Sequence, residues 1–161
     1  MADDFILEQA TLSDIMILAK LRRLMFEDMA AAQGKNIGSD LLDTMEEAYV
    51  GYLKEHLADQ SSAAWVVESN GQIIACGVAS FLAWPPFPGD TSGKAALLYN
   101  LYVTPQYQRR GIARQIMVAM IEYCRARGVR LLKLNATPKG RHLYEMLGFL
   151  PDDTAMNLFS S

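Results

Sequence analysis

Leu98 to Ala113 reads LYNLYVTPQYQRRGIA, and its two halves call for different backbones. Ala95 to Val103 is rich in aromatic and branched residues, as strands are, and Thr104-Pro105 stops the strand because proline cannot donate to a ladder. From Arg109 to Arg127 the spacing predicts a helix, with Ile112, Ile116, Ala119, Met120 and Tyr123 on its buried side and Gly128 closing it. Gln108-Arg109-Arg110-Gly111-Ile112-Ala113 therefore stands where a strand has ended and a helix begins. N–H groups in a first turn lack intrahelical partners and the dipole adds partial positive charge, so an anion such as a diphosphate is stabilised there. Gly111 lets a ligand approach the backbone, Ala113 preserves the clearance, and Arg109, Arg110 and Arg114 offer charge-assisted hydrogen bonds. An ordinary helix start with a solvated basic face accounts for the same residues equally well.

Working outward, Val129 to Asn135 reads as a strand and Pro138 to Leu147 as a short helix capped by Gly148. Phe149-Leu150 and Ala155 to Phe159 supply the last strand material. Upstream, Phe5 to Ala10 alternates like a strand and runs into a helix cap at Thr11 or Ser13. Ile15, Leu18, Leu21, Leu24 and Met25 mark an amphipathic helix ending before Gly34, and a second helix spans Asp40 to about Ala58. Ala64 to Ser69, Asn70-Gly71 and Gln72 to Leu82 form a hairpin around a turn that needs positive φ. Trp84-Pro-Pro-Phe-Pro-Gly89 is a rigid loop, because its prolines remove ladder donors. The order of elements predicts an α/β chain: a mixed sheet with helices on its faces, in one domain covering 1–161.

The bulk numbers narrow the function classes. With 51% hydrophobic and 20% charged residues the chain has enough apolar material for a core, so disorder is not expected. A net charge of -3 gives no basic excess for binding nucleic acid. The acidic start MADDFILEQA does not resemble a signal peptide, and no stretch is long enough to cross a bilayer, so a soluble cytoplasmic protein with no membrane partner is expected. Cys76 and Cys124 sit in apolar runs as reduced thiols. His56, His142 and the two cysteines match no zinc spacing, so no metal is expected. A dinucleotide fingerprint lacks its glycines here, and Ser92-Gly93-Lys94-Ala95 lacks the earlier glycine and the hydroxyl of a P-loop.

The central segment resembles the signature of the GNAT superfamily of N-acetyltransferases, in which a V-x-P strand end precedes Q/R-x-x-G-x-G/A. The matching residues are Val103-Thr104-Pro105 followed by Gln108, Gly111 and Ala113. Leu143-Tyr144-Glu145-Met146-Leu147-Gly148-Phe149 resembles the LYE-x-LGF landmark of the same superfamily, in the same order along the chain. The resemblance implies a mostly antiparallel central sheet whose fourth and fifth strands splay apart, with helices on both faces. It also implies acetyl-coenzyme A as cosubstrate. Carried over, the main chain of Leu101, Tyr102 and Val103 would hold the pantetheine arm, and the amides of Gln108, Arg109, Arg110, Gly111, Ile112, Ala113 and Arg114 the pyrophosphate.

The reaction so implied is direct acetyl transfer to an amine in a ternary complex, and Tyr144 occupies the position of the general acid that protonates the leaving thiolate. No base is evident: the fourth strand offers Tyr99, Asn100 and Tyr102 where some relatives carry a carboxylate, and Glu27, Asp28 and Glu68 are left unassigned. Where many relatives place an Asn and an Ala before the Tyr, this chain has Thr137 and Gly140, so Asn135 is a substitute cofactor contact. The Trp84 to Gly89 loop has three open uses, acceptor pocket, cleft cover or homodimer contact, and a plain core-covering loop accounts for it equally well. A non-catalytic acyl-coenzyme A sensor or interaction module is the alternative to an enzyme. The acceptor amine, whether a small molecule or a protein, is not legible in the chain.

Overall fold

A computed structural model describes residues 4–161. A short strand β1 (Ile6–Gln9) leads through one turn of 3-10 helix into α1 (Ile15–Ala32), which α2 (Ser39–Ala58) follows. Thr11 starts that turn as the sequence suggests, its N–H held at 2.8 Å by the Asp14 carboxylate in a capping box. The hairpin of β2 (Ser62–Ser69) and β3 (Gln72–Ala83) turns through Asn70 and Gly71, with φ of 52° and 79°, the two left-handed positions of a type I′ turn. Then come β4 (Lys94–Val103), α3 (Ile112–Ala126), β5 (Leu131–Lys133) and α4 (Arg141–Met146).

The five strands lie in chain order, antiparallel from β1 to β4, with β5 parallel to β4. A parallel partner needs a crossover, and α3 supplies it. Side chains alternate across the sheet and feed two cores. On one face Trp65, Val67, Ala75, Leu98 and Val103 meet Ile112, Ile116, Met117 and Met120 of α3. On the other Val66, Cys76, Val78 and Tyr102 meet Leu18 and Leu21 of α1 and Tyr49 and Leu53 of α2. Because both faces are covered, β2 and β3 read as continuous apolar runs rather than clean alternation.

Several boundaries differ from the sequence reading. The helix expected from Arg109 starts at Ile112, because Arg109 and Gly111 have φ of 63° and 81° and no right-handed helix propagates through such residues. The strand and helix expected over 129–135 and 138–147 shrink to Leu131–Lys133 and Arg141–Met146. Phe149-Leu150 and Ala155 to Phe159 form no strand: three-residue β5 offers little edge to pair with, and Leu150, Met156, Leu158 and Phe159 are exposed. Among the described residues no helix is long and apolar enough to cross a membrane.

The approach of α3 to the sheet rests on Gly77, where a Cβ would stand 2.7 Å from both Ile116 Cγ2 and Met120 Sδ. Gly77→Ala is expected to cost about 1–3 kcal/mol through overpacking, and chemical denaturation with a shifted midpoint and unchanged slope checks it.

Candidate functional site

The site begins with an irregularity in β4. Cys76 pairs with Tyr102 while Val78 pairs with Tyr99, so β4 carries one more residue than β3 between these pairs. The bulge holds Asn100 at φ 54°, a conformation that asparagine tolerates better than branched residues. Tyr99 and Tyr102 are three positions apart and would face opposite ways in a regular strand. The bulge turns both, together with the Asn100 side chain, toward α1 and α2. Leu98, Leu101 and Val103 face α3.

The same part of β4 loses a neighbour. Pairing with β5 covers Ala95, Ala96 and Leu97 and then ends, so from Leu98 onward the fourth strand has β3 on one side and diverges from the fifth on the other. The sequence expectation of splayed strands holds here, and Leu101, Tyr102 and Val103 lie in the diverging stretch.

Beyond β4 the chain passes through a 3-10 turn, Pro105–Tyr107, into Gln108 to Gly111. The left-handed residues Arg109 and Gly111 flank Arg110, an alternation that turns successive N–H groups inward as in anion-binding nests. The helix ladder opens with Gln115 N donating to Gly111 O at 3.1 Å, so the amides from Gly111 to Arg114 have no acceptor among the described residues. Nothing lies within 4 Å of where a Cβ on Gly111 would sit. The Arg109 and Arg114 side chains are exposed, and Arg110 lies over the Tyr107 ring at 5.3 Å. These features fit a diphosphate.

Gln108 behaves differently from its neighbours. Its backbone N–H donates to Pro105 O at 3.3 Å, its side-chain Nε2 donates to Val103 O at 2.9 Å, and its Oε1 accepts from Lys139 Nζ at 2.7 Å. It braces the loop against the end of β4 and against the turn before α4.

Tyr144 sits on α4, half-buried, its ring edge-on to Phe149 at 6.1 Å. Burial raises its pKa above the ordinary 10, so the phenol stays protonated at neutral pH, and its hydroxyl has no hydrogen-bond partner among the described residues. Gly140, unexpected in the sequence, has a structural reason: a Cβ there would stand 3.0 Å from Tyr144 Cε2 and 3.2 Å from its hydroxyl. Thr137 caps the same turn, accepting from Gly140 N at 3.2 Å through its hydroxyl and from Arg141 N at 3.1 Å through its carbonyl. Asn135 lies exposed two residues past the end of β5.

Across the sheet, α1 presents two consecutive arginines with opposite surroundings. Arg23 is held by Glu27, Asp43 and Glu46, tying α1 to α2. Arg22 lies 5.0 Å from the centroid of Phe26, 4.7 Å from Tyr49 and 5.3 Å from Tyr99. The Ser80 hydroxyl joins those of Tyr52, Ser62 and Tyr99 at 2.9, 2.8 and 3.2 Å, and burial pushes Tyr99 up to about 12. Of the carboxylates the sequence left unassigned, Glu27 is taken by Arg23, and Glu68 lies on β2, two strands from β4. Asp28 accepts a hydrogen bond from Tyr102, and burial together with that bond pushes the Tyr102 phenol up. The Trp84 loop lies at the Lys94 end of β4, the far end of the strand from Val103, with Lys133 Nζ 5.0 Å from the Trp84 ring. Sequence reasoning missed Arg22 and the Gln108 brace, because neither side chain differs in kind from a surface residue until its partners are known.

Residues 47–149 match the model of the acetyltransferase (GNAT) family. The rat protein N-acetyltransferase family 8 member 2 is 28% identical over 144 residues, 87% of this chain. The chain spans 32% to 58% of the length of rat relatives of this kind. Among solved structures, a GCN5-related N-acetyltransferase from Ralstonia eutropha JMP134 superposes with a TM-score of 0.86 at 25% identity, covering 97% of this chain and 99% of the other. A predicted acetyltransferase from Clostridium acetobutylicum, solved with acetyl-CoA, shares the fold with a TM-score of 0.86 at 24% identity, covering 97% and 96%.

Gly111 offers a direct test of the anion site. Gly111→Asn tolerates the left-handed φ but puts a side chain into the open space, so it is expected to weaken acetyl-CoA binding at least about tenfold with little loss of stability. Gly111→Val adds backbone strain and should lower the thermal midpoint as well. Calorimetric titration checks both, and undiminished affinity in Gly111→Asn refutes the site.

Proposed function

Because this chain belongs to the acetyltransferase (GNAT) family, we propose that it transfers an acetyl group from acetyl-CoA to a primary amine of a small molecule or peptide, within a single domain. The observation that carries the reading is the run from the diverging half of β4 into the left-handed turn that opens α3. A backbone edge with no strand on one side can take an extended amide-bearing chain as an added strand would be taken, and the turn that follows presents amides to an anion. Pantetheine and a diphosphate, joined in that order, match those two features.

Acetyl-CoA brings an acyl group on a thiol leaving group; the remaining tasks fall to the chain. The backbone of Leu101, Tyr102 and Val103 aligns the pantetheine arm, and an N–H in this stretch polarises the acyl carbonyl. Arg109, Arg110, Gly111, Ile112, Ala113 and Arg114 hold the pyrophosphate through amides and guanidinium groups. Gln108 serves this loop as a brace, which its two side-chain hydrogen bonds support better than direct contact. Asn135 contributes at most from the rim, since it is exposed. Tyr144 holds a proton on its hydroxyl for the departing sulfur: its raised pKa keeps the phenol protonated at neutral pH, and the hydroxyl is not committed to another residue. Direct attack by the amine in a ternary complex needs no covalent intermediate on the chain. Asp28, hydrogen-bonded to Tyr102 of β4, is the carboxylate best placed to receive the amine proton.

Thiol release from acetyl-CoA across an amine panel tests the activity; tight binding with no turnover would favour the acyl-CoA sensor instead. Tyr144→Phe is expected to lower kcat by about 10²–10⁴ with little change in acetyl-CoA affinity. Since the folded pKa of Tyr144 lies above the ordinary 10, the acid is fully protonated below that value and lost only as pH rises past it. The alkaline decline of kcat assigned to Tyr144 therefore lies above about pH 10 and vanishes in Tyr144→Phe. A rate equal to that of the unaltered protein removes Tyr144 from the mechanism.

A further inference from the structure

We infer that Arg22 is a recognition residue for the acceptor, and that the acceptor is an amine carrying a carboxylate, as a free amino acid or the C-terminal end of a peptide does. The inference rests on the acetyl-transfer reading and adds to it the chemical class of the second substrate.

Half-buried, the guanidinium of Arg22 lies against the rings of Phe26, Tyr49 and Tyr99, and among the described residues it meets no carboxylate at ion-pair distance and makes no hydrogen bond. Arg23, one position on, meets three. The rings fix the plane of the Arg22 fork by cation–π attraction without using its N–H groups. Its nitrogens are not among the buried unpartnered polar atoms, so they are open to a ligand, and a planar guanidinium suits a carboxylate that accepts two parallel bonds. The surrounding hydroxyls do not compete for it, because Tyr52, Tyr99, Ser62 and Ser80 are hydrogen-bonded to one another. With Arg23 neutralised by its own partners, the charge on offer is a single one, which matches a carboxylate better than a phosphate monoester.

Position identifies the ligand as the acceptor rather than the donor. Tyr99 lies just past Leu97, the last residue of β4 that pairs with β5, so Arg22 sits beside the start of the diverging stretch. It lies on the face covered by α1 and α2, whereas the amide-presenting turn opens α3 on the opposite face. A diphosphate on that turn and an anion at Arg22 are thus separated by the sheet. Further along α1, Asp28 reaches Tyr102 in the same diverging stretch, so this face holds a cation near one end and a carboxylate near the other. That polarity suits a zwitterion whose carboxylate meets Arg22 and whose amine lies toward Asp28.

The test compares acceptors matched in pairs, free amino acids against their own carboxamides, by thiol release at saturating acetyl-CoA. The free acids are expected to exceed the amides by at least about tenfold in kcat/KM, mainly through KM. Arg22→Gln should bring that ratio to within about twofold of unity, and Arg22→Lys, a point charge without the fork, should keep part of it. Equal use of acids and amides by the unaltered protein overturns the inference while leaving acetyl transfer standing. So does an Arg22→Gln variant that loses both members of each pair in the same proportion, since the arginine then only packs α1 against the rings. Should no amine be turned over although acetyl-CoA binds, the acetyl-transfer reading fails. Calorimetric titration of the amino acids into the coenzyme A-loaded protein then decides this proposal, and the absence of Arg22-dependent heat overturns it too.

Discussion

In β4 a single extra residue, held by Asn100 in a left-handed conformation, sets which side chains reach which face of the sheet. Without it Tyr99 and Tyr102 would point to opposite cores, and α1 and α2 would pack against one of them only. With it, both rings line the face where Arg22 and Asp28 stand. The bulge has a cost of its own: Asn100 is buried, its Nδ2 makes only long bonds of 3.5 and 3.4 Å to Leu18 O and Tyr49 Oη, and its Oδ1 has no partner among the described residues. A buried polar group so poorly satisfied is tolerated where the backbone around it is over-determined, and here β3, α1 and α2 all press on it.

The sheet separates two environments of different character. On one face α3 lies close because Gly77 has no side chain, and its start presents amides and arginines for an anion. On the other, buried phenols and a thiol are held in their neutral forms, with Cys76 pushed up to about 12 by burial and Tyr99 likewise. Beside the β4 rings on that side stand Arg22 and Asp28, and the Arg23 network ties the two helices together. A low-polarity lining strengthens whatever electrostatic interaction is made within it.

Local chemistry was legible in the sequence where one or two residues determine the backbone. Asn70-Gly71 specified the hairpin, Pro105 ended β4, and Gln108 to Ala113 marked the entrance to α3. The register of β3 on β4 was not legible, since a bulge is a relation between two strands that no single residue specifies. Arg109 was assigned to the helix because non-glycine residues rarely turn left-handed, and nothing local marks it as an exception. The strand expected over 155–159 has the right composition, yet a strand exists only where an edge accepts it, and pairing is a tertiary fact. Arg22 and Arg23 are identical in sequence terms; Asp43 and Glu46, some twenty residues away on α2, distinguish them.

The Gln108 amide links two parts of the chain that are distant in sequence. One end holds the carbonyl of Val103, and the other takes the ammonium of Lys139, which belongs to the segment leading to Tyr144. Two stretches about thirty residues apart in the chain are thereby fastened through one side chain, and a displacement of one is passed to the other. They form a single mechanical part, so replacing this loop without regard to the Lys139 turn leaves the clasp unfastened. The α1 and α2 face lies outside this clasp, so a change there leaves the link between the loop and α4 in place.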